Sequence, residues 1–268
     1  MIKLDWKLVE ERFYVSLSGQ TDAICSIPAA ELLQPERAKS FVDRYGEAIG
    51  ALEPAAAAAY FGGWFSGVAH AMQYAVSVCN VSLHASLAAL TIQMIHKENR
   101  CALCFRLQDG TVLEAPEGDH ARSEWRSTIL TAFYRDTVRP LFEAVAAAAG
   151  CDVGQLWGQL PSRMANQTEQ WRTSIAGEDV RSRIAADVLF LKDGLDPVLL
   201  NRVKSPFDVK LRYVESIKDK AQNIALKSSC CMHYRTGSGV YCYTCPRLTE
   251  KQRAERLAGL RSAEAVKS

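Results

Sequence analysis

Four of the nine cysteines fall within sixteen residues near the end of the chain, in "CCMHYRTGSGVYCYTC", Cys230 to Cys245. Cys242 and Cys245 form a C-x-x-C, the unit whose backbone turn brings two sulfurs onto one metal ion. Cys230 and Cys231 are adjacent, so their side chains diverge unless the backbone bends between them. Three chemistries use such thiols: a disulfide staple, a structural zinc, or an iron–sulfur cluster. Structural zinc is usually held by two separated pairs. Diverging neighbours are better suited to two metal atoms, as in a [2Fe–2S] rhomb held by four thiolates. The spacing therefore favours iron–sulfur and leaves zinc open. Gly237 and Gly239 let the intervening loop fold close, and its backbone N–H groups can hydrogen-bond sulfide. Within the loop, His233 reads as a donor to the cluster's surroundings or a surface residue rather than a ligand. Arg235 reads equally well as a solvated charge or a fixed cation beside the cluster.

The compartment bears on that choice. The N-terminus, "MIKLDWKLVEERFYV", carries acids and lacks the apolar core of a signal peptide, which predicts a cytoplasmic protein with reduced thiols. A vicinal disulfide at Cys230–Cys231 then ranks last. The net charge of +2 is unevenly spread. From Arg202 onward Lys and Arg outnumber Asp and Glu fourteen to six, whereas before it acids lead twenty-four to eighteen. A positive field around the cysteines would attract an acidic partner or an anionic ligand.

The elements that position these residues are mostly helical. "PERAKSFVDRYGEAIG" predicts a helix ending at Gly50, after a β-prone "RFYVSLS". From Pro54 to His96 there is no Asp, Glu, Lys or Arg. Polar interruptions argue against a membrane span and predict two buried helices, the second carrying Leu83, Leu87, Leu90 and Met94 at helical spacing. Tyr60, Phe61, Trp64 and Phe65 read chiefly as core and alternatively as a pocket wall. "CALCFRLQDGTVLE" predicts a β-hairpin turning at Asp109-Gly110. Its Cys101 and Cys104 lie on opposite faces of a strand and cannot converge on one ion. Helices are predicted over Glu124–Gly150, interrupted at Pro140, and over "VGQLWGQL" and "GEDVRSRIAADVLFLKDG". "SPFDVKLRYV" reads as extended, and Thr249 to Gln252 as the capping box of a polar terminal helix. The fold class is α+β: a mostly helical body with a small antiparallel sheet over residues 1–225, and a cysteine-rich segment with a basic helical tail over 226–268.

The C-terminal CC-x10-C-x2-C, Cys230-Cys231…Cys242-x-x-Cys245, resembles the signature of the FhuF-type ferric siderophore reductases. "SCCMHYR" is similar to that family's CC-x-x-Y-R, matched by Tyr234 and Arg235. A Pro-led extended segment precedes the cluster, and "QLWG", Gln155 to Gly158, resembles a Leu-Trp element in the family's middle region. Over the first two hundred residues the likeness is one of layout, and the tail after Cys245 is longer than the family's pattern. The resemblance implies a [2Fe–2S] cluster on Cys230, Cys231, Cys242 and Cys245, passing one electron to a ferric siderophore of hydroxamate or carboxylate-hydroxamate type. It implies an acidic ferredoxin-like or NAD(P)H-linked electron donor, and a cytoplasmic protein with room for peripheral association at the inner membrane face. It calls for no catalytic acid, base or nucleophile and no nucleic acid. His233, Tyr234, Arg235 and Tyr241 are the expected neighbours of cluster or substrate. Two other readings share these residues: a zinc-stabilised module whose basic end and tyrosines contact nucleic acid, and an iron–sulfur sensor without reductase activity.

Overall fold

A computed structural model describes residues 2–97, 100–237 and 239–265. In chain order the elements are α1 (Trp6–Phe13), β1 (Val15–Ser16), β2 (Cys25–Pro28), α2 (Pro35–Ala48), α3 (Pro54–Tyr74), β3 (Val81–Leu83), β4 (Leu90–Lys97), β5 (Arg100–Leu107) and β6 (Val112–Glu114). There follow α4 (Asp119–Ala132), α5 (Arg139–Ala149), α6 (Gly154–Trp157), α7 (Pro161–Ser174), α8 (Glu178–Leu189), β7 (Tyr213–Glu215), β8 (Asn223–Ala225) and α9 (Glu250–Ala265). The architecture is α+β, mostly helical, with small sheets and the cysteines at the C-terminal end.

The uncharged run forms the centre. A helix that is apolar on every side must be buried, and α3 is enclosed along nearly its whole length. Gly67 marks where α1 crosses it: a β-carbon there would lie 2.2 Å from the Phe13 carbonyl oxygen. The two-helix expectation for this run fails beyond Cys79. After one wide helical turn (Ala75–Cys79) closed by left-handed Asn80, the chain enters β3 and then β4. Leu90, Ile92 and Met94 are buried at a period of two, so "LTIQMIHK" is a strand and the 4-3-4 leucine spacing is a coincidence. Among the described residues no helix is long and apolar enough to cross a membrane.

The expected hairpin is likewise displaced. β5 pairs with β4, from Leu90 opposite Leu107 to Lys97 opposite Arg100, and the connection lies at residues 98–99, outside the described residues. Asp109-Gly110 does not close a hairpin, because β6 leaves β5 and pairs with β3. The main sheet has the order β1-β5-β4-β2, and β1 runs parallel to β5, so it is mixed rather than purely antiparallel. Cys104 stands opposite Gln93 and Cys101 opposite His96, both buried in this sheet and far in sequence from the C-terminal thiols.

One buried ion network joins the helices behind α3. Asp187 on α8 is fully buried; Arg122 grips it through two bonds of 2.6 Å, Arg126 reaches it at 3.3 Å, and the Ser77 hydroxyl donates to it at 2.7 Å. Arg183 donates to the carbonyls of Ser77 and Val78, where the wide turn leaves them open. Removing one member of a buried charge set strands the others, at a cost of about 3–5 kcal/mol. Asp187→Ala is therefore expected to lower folding stability by about that amount. The check is the shift in urea midpoint at unchanged m-value.

Candidate metal centre

The C-terminal segment is tied to the body at several points before any ligand is considered. Asn166 on α7 exchanges two hydrogen bonds with the Ala225 backbone, fixing β8. Gln155 and Gln159, around α6, both donate to the Cys230 carbonyl. A β-carbon on Gly158 would approach that of Ser229 at 2.5 Å, so the segment lies directly on the "QLWG" turn. On the far side of the loop, Leu52 N–H donates to the Arg235 carbonyl at 2.9 Å and Arg235 pairs with Glu53 at 3.0 Å.

The tail after Cys245 has a structural role. Thr249 and Gln252 cap α9 reciprocally, as their spacing predicts. The nearly buried Arg253 then reaches back to the carbonyls of Tyr243, Cys245 and Leu248. Arg261 binds Glu215 at 2.6 Å and the Ser216 carbonyl at 2.8 Å. The helix thus clamps the C-x-x-C turn onto β7.

Within this frame the adjacent thiols do diverge. Met232 adopts a left-handed backbone, φ 56°, and the His233–Arg235 helical turn follows. Cys230 Sγ lies 3.7 Å from Cys245 Sγ, and Cys231 Sγ lies 3.9 Å from Cys242 Sγ. Two sulfurs about 2.3 Å from one tetrahedral metal stand about 3.8 Å apart. Each pair therefore has the spacing of two thiolates on a single metal atom, far outside disulfide range. Among the described residues no three Cys, His, Asp or Glu side chains gather as a mononuclear site requires. Two pairs with two-sulfur spacing fit a binuclear centre better than a lone zinc.

The pairs differ in surroundings. Cys230 and Cys245 are buried beneath the two glutamines, and burial pushes the Cys230 thiol up to about 11, against the Met232 N–H that bonds it. Lys227 donates to Cys231 Sγ at 3.0 Å and to Cys242 Sγ at 3.3 Å. The Cys242 thiol, hydrogen-bonded to Cys231, and the Lys227 ammonium hold Cys231 far below the ordinary thiol range, while the same contact and burial raise Cys242. Burial works against the charge on Lys227, but the two sulfurs outweigh it and its pKa rises. The Cys231 and Cys242 sulfurs thus have a built-in counter-cation.

This second pair opens onto a cavity of about 290 Å³ walled by Tyr60, Gly63 and Trp64 of α3, with Arg100, Arg163, Lys227 and His233. Tyr60, Gly63 and Trp64 share one helix face, whereas Phe61 and Phe65 point the other way into the core. The aromatic run therefore does both things the sequence allowed, divided by helical phase. His233 is hydrogen-bonded through Nδ1 to the Tyr60 hydroxyl, and the two rings stack at 5.7 Å. Burial, then the thiolates of Cys231 and Cys242, push Tyr60 up to about 12. Of the other expected neighbours, Tyr234 and Tyr241 stack on each other at 4.5 Å with Arg247 over Tyr234, and Arg235 is engaged with Glu53. None of these three lines the cavity. Lys227, Arg163 and Arg100 were not legible as site residues; the basic bias from Arg202 onward takes in Lys227 alone, and Arg100 and Arg163 lie in the net-acidic part of the chain.

A comparison with protein-family models matches residues 228–247 to the FhuF 2Fe-2S C-terminal domain. No curated protein matches the chain. The matched stretch holds all four paired cysteines, and its cofactor is a [2Fe–2S] cluster. The match supports the likeness of the C-terminal cysteine segment to the FhuF-type iron–sulfur proteins.

Proposed function

We propose that the protein is a ferric siderophore reductase, with Cys230, Cys231, Cys242 and Cys245 as the four ligands of its cluster. The observation that carries this reading is the opening of one thiol pair, Cys231 and Cys242, onto a cation- and aromatic-walled cavity. A purely structural centre needs no such access. When bound, a [2Fe–2S] cluster supplies one electron at a time. Hard oxygen donors such as hydroxamates hold Fe(III) tightly and Fe(II) poorly, so one electron makes the substrate iron labile while the siderophore stays intact. The chain's own part is to bind and orient. Gln155 and Gln159 fix the buried side of the cysteine segment, Arg253 fixes the C-x-x-C turn, and Lys227 balances the charge of the cavity-lining sulfurs. Tyr60 and Trp64 offer flat faces to the organic shell of the complex. No side chain is asked to serve as acid, base or nucleophile.

The division of labour largely follows the chain: residues 1–225 supply Tyr60, Gly63, Trp64, Arg100 and Arg163 of the cavity wall, and 226–268 the ligands together with Lys227 and His233. We place the protein in the cytoplasm, with an acidic ferredoxin-like or NAD(P)H-linked donor refilling the cluster from the basic C-terminal surface. The test is iron, sulfide and zinc content of anaerobically purified protein, followed by mixing of the reduced form with a ferric hydroxamate. About two irons and two sulfides per chain, an EPR signal on reduction, and reoxidation matched by Fe(II) release are expected. A stable cluster that ferric hydroxamates do not reoxidise would leave the sensor reading in its place. Zinc without sulfide would point back to the structural module.

A further inference from the structure

Three cations meet at the cavity beside Cys231 and Cys242, and among the described residues no Asp or Glu lines it. One of the three, Lys227, is occupied by the two sulfurs, at 3.0 and 3.3 Å. Arg163 is not. Its guanidinium lies against α3 where Gly63 has no side chain, a β-carbon there coming within 3.1 Å of Nη2. Nη1 makes only a long bond of 3.4 Å to the Ser66 hydroxyl, and the buried Nε has no partner. No carboxylate pairs with Arg163 or Arg100 among the described residues. Elsewhere Arg122 and Arg126 bind Asp187 and Arg253 reaches three carbonyls, so their terminal nitrogens are engaged even though the Nε of Arg253 lacks a hydrogen-bond partner too; Arg163 has a single long bond.

A half-engaged, largely desolvated guanidinium beside aromatic faces is a receptor for a planar anion, because its fork matches a carboxylate in two parallel bonds. The volume sets a limit. At about 290 Å³ the cavity lies at the bottom of the range for ligand pockets, roughly 300–1,000 Å³. It admits one arm of an iron complex, not a whole hexadentate chelate.

Building on the reductase reading, we propose that Arg163, supported by Arg100, forms an anion subsite that selects ferric complexes carrying a free carboxylate arm, seated against Tyr60 and Trp64 next to the Cys231/Cys242 pair. The arm docks the complex with its iron outside the cavity mouth, near the cavity-lining sulfurs. Neutral or cationic ferric complexes lack that anchor and depend on the aromatic faces alone.

The test separates the subsite from the electron transfer. Oxidised holoprotein is titrated by calorimetry with benzoate and with benzamide, its uncharged isostere. A charge-assisted pair contributes about tenfold or more in affinity, so benzoate is expected to bind at least tenfold more tightly. Arg163→Gln is expected to erase the difference, and Arg163→Lys to restore it in part. Reduction of ferric citrate and of neutral ferric tris(acetohydroxamate) is then compared, the variants' intact cluster spectra serving as the folding control. Arg163→Gln should reduce kcat/KM about tenfold for the citrate complex and less than twofold for the neutral one. Equal affinity of the wild type for benzoate and benzamide overturns the proposal. So does unaltered benzoate binding in Arg163→Gln together with a moved reduction potential, since Arg163 would then serve only the charge of the cluster. If Arg163→Gln fails to take up a cluster, Arg100→Gln makes the same comparison from the cavity rim, and no change there in the benzoate preference counts against the subsite. Should the wild type reduce neither complex while still preferring benzoate, the reductase reading falls and the subsite stands.

Discussion

Alanine at Cys231 or at Cys242 is expected to bring protein-bound iron and sulfide to background, and alanine at Cys230 or Cys245 to do the same. Each of the two sulfur pairs is spaced for one metal atom, 3.7 Å for Cys230–Cys245 and 3.9 Å for the cavity-lining Cys231–Cys242. Losing one thiolate leaves that atom with a single protein ligand of the pair. Alanine at Cys101 or Cys104 should leave iron content unchanged, although these too are spaced C-x-x-C. They lie in β5, paired across the sheet with His96 and Gln93, and belong to the core. The measurement is iron and sulfide per chain for the six single variants, purified without oxygen. Retention of a full cluster after loss of any one of the four C-terminal thiols would remove that residue from the ligand set. Apoprotein should also lose order locally, since metal binding is linked to folding of its site. The effect should be visible as faster amide exchange in the stretch between the Asn166–Ala225 anchor and the Arg253 clamp.

The second large effect concerns Lys227. Glutamine at this position is expected to lower the cluster's reduction potential by roughly 60–120 mV. The added electron places more negative charge on the sulfurs, and a donor cation 3.0–3.3 Å away stabilises that state. A hydrogen bond to a charged partner contributes about 1.5–3 kcal/mol, and about 1.4 kcal/mol corresponds to 59 mV for one electron. Arginine keeps the charge and should preserve most of the potential. A redox titration followed by EPR decides the matter: an unmoved potential in Lys227→Gln would mean that water replaces the ammonium without loss, and that the cation does not tune the centre. Arg235, expected from the sequence as the fixed cation beside the cluster, should give a much smaller shift, because it spends its charge on Glu53.

The local features of this chain were legible where the physics is local. The helix over α2 with its stop at Gly50, the capped terminal helix, the break near Pro140 and the opposite-facing Cys101 and Cys104 all follow from short-range rules of period, cap and pleat. The four thiols were also legible, since adjacency at Cys230-Cys231 forces divergence and divergence calls for two partners. Where a segment's conformation depends on what it packs against, the reading failed. Leu90 and Met94 belong both to a helical spacing that starts at Leu83 and to the alternation Leu90-Ile92-Met94 of a strand, and only pairing with β2 and β5 resolves it. The hairpin partner of β5 was misassigned for the same reason, since Asp109-Gly110 supplies turn chemistry whichever strand lies beyond it.

By itself, then, the sequence set four thiols in one short segment at a spacing that favours iron–sulfur and leaves zinc open, and its resemblance to the FhuF-type proteins pointed to the [2Fe–2S] cofactor. Only the tertiary structure decided what surrounds those thiols. Lys227, Arg163, Arg100, Tyr60 and Trp64 come from four separate parts of the chain, and nothing about their sequence neighbours distinguishes them from solvated charge or core aromatics. They become a site because α3 is apolar enough to be buried along its length, which fixes its phase against α7 and the cysteine segment. That phase turns Phe61 and Phe65 inward and leaves Tyr60 and Trp64 facing the sulfurs.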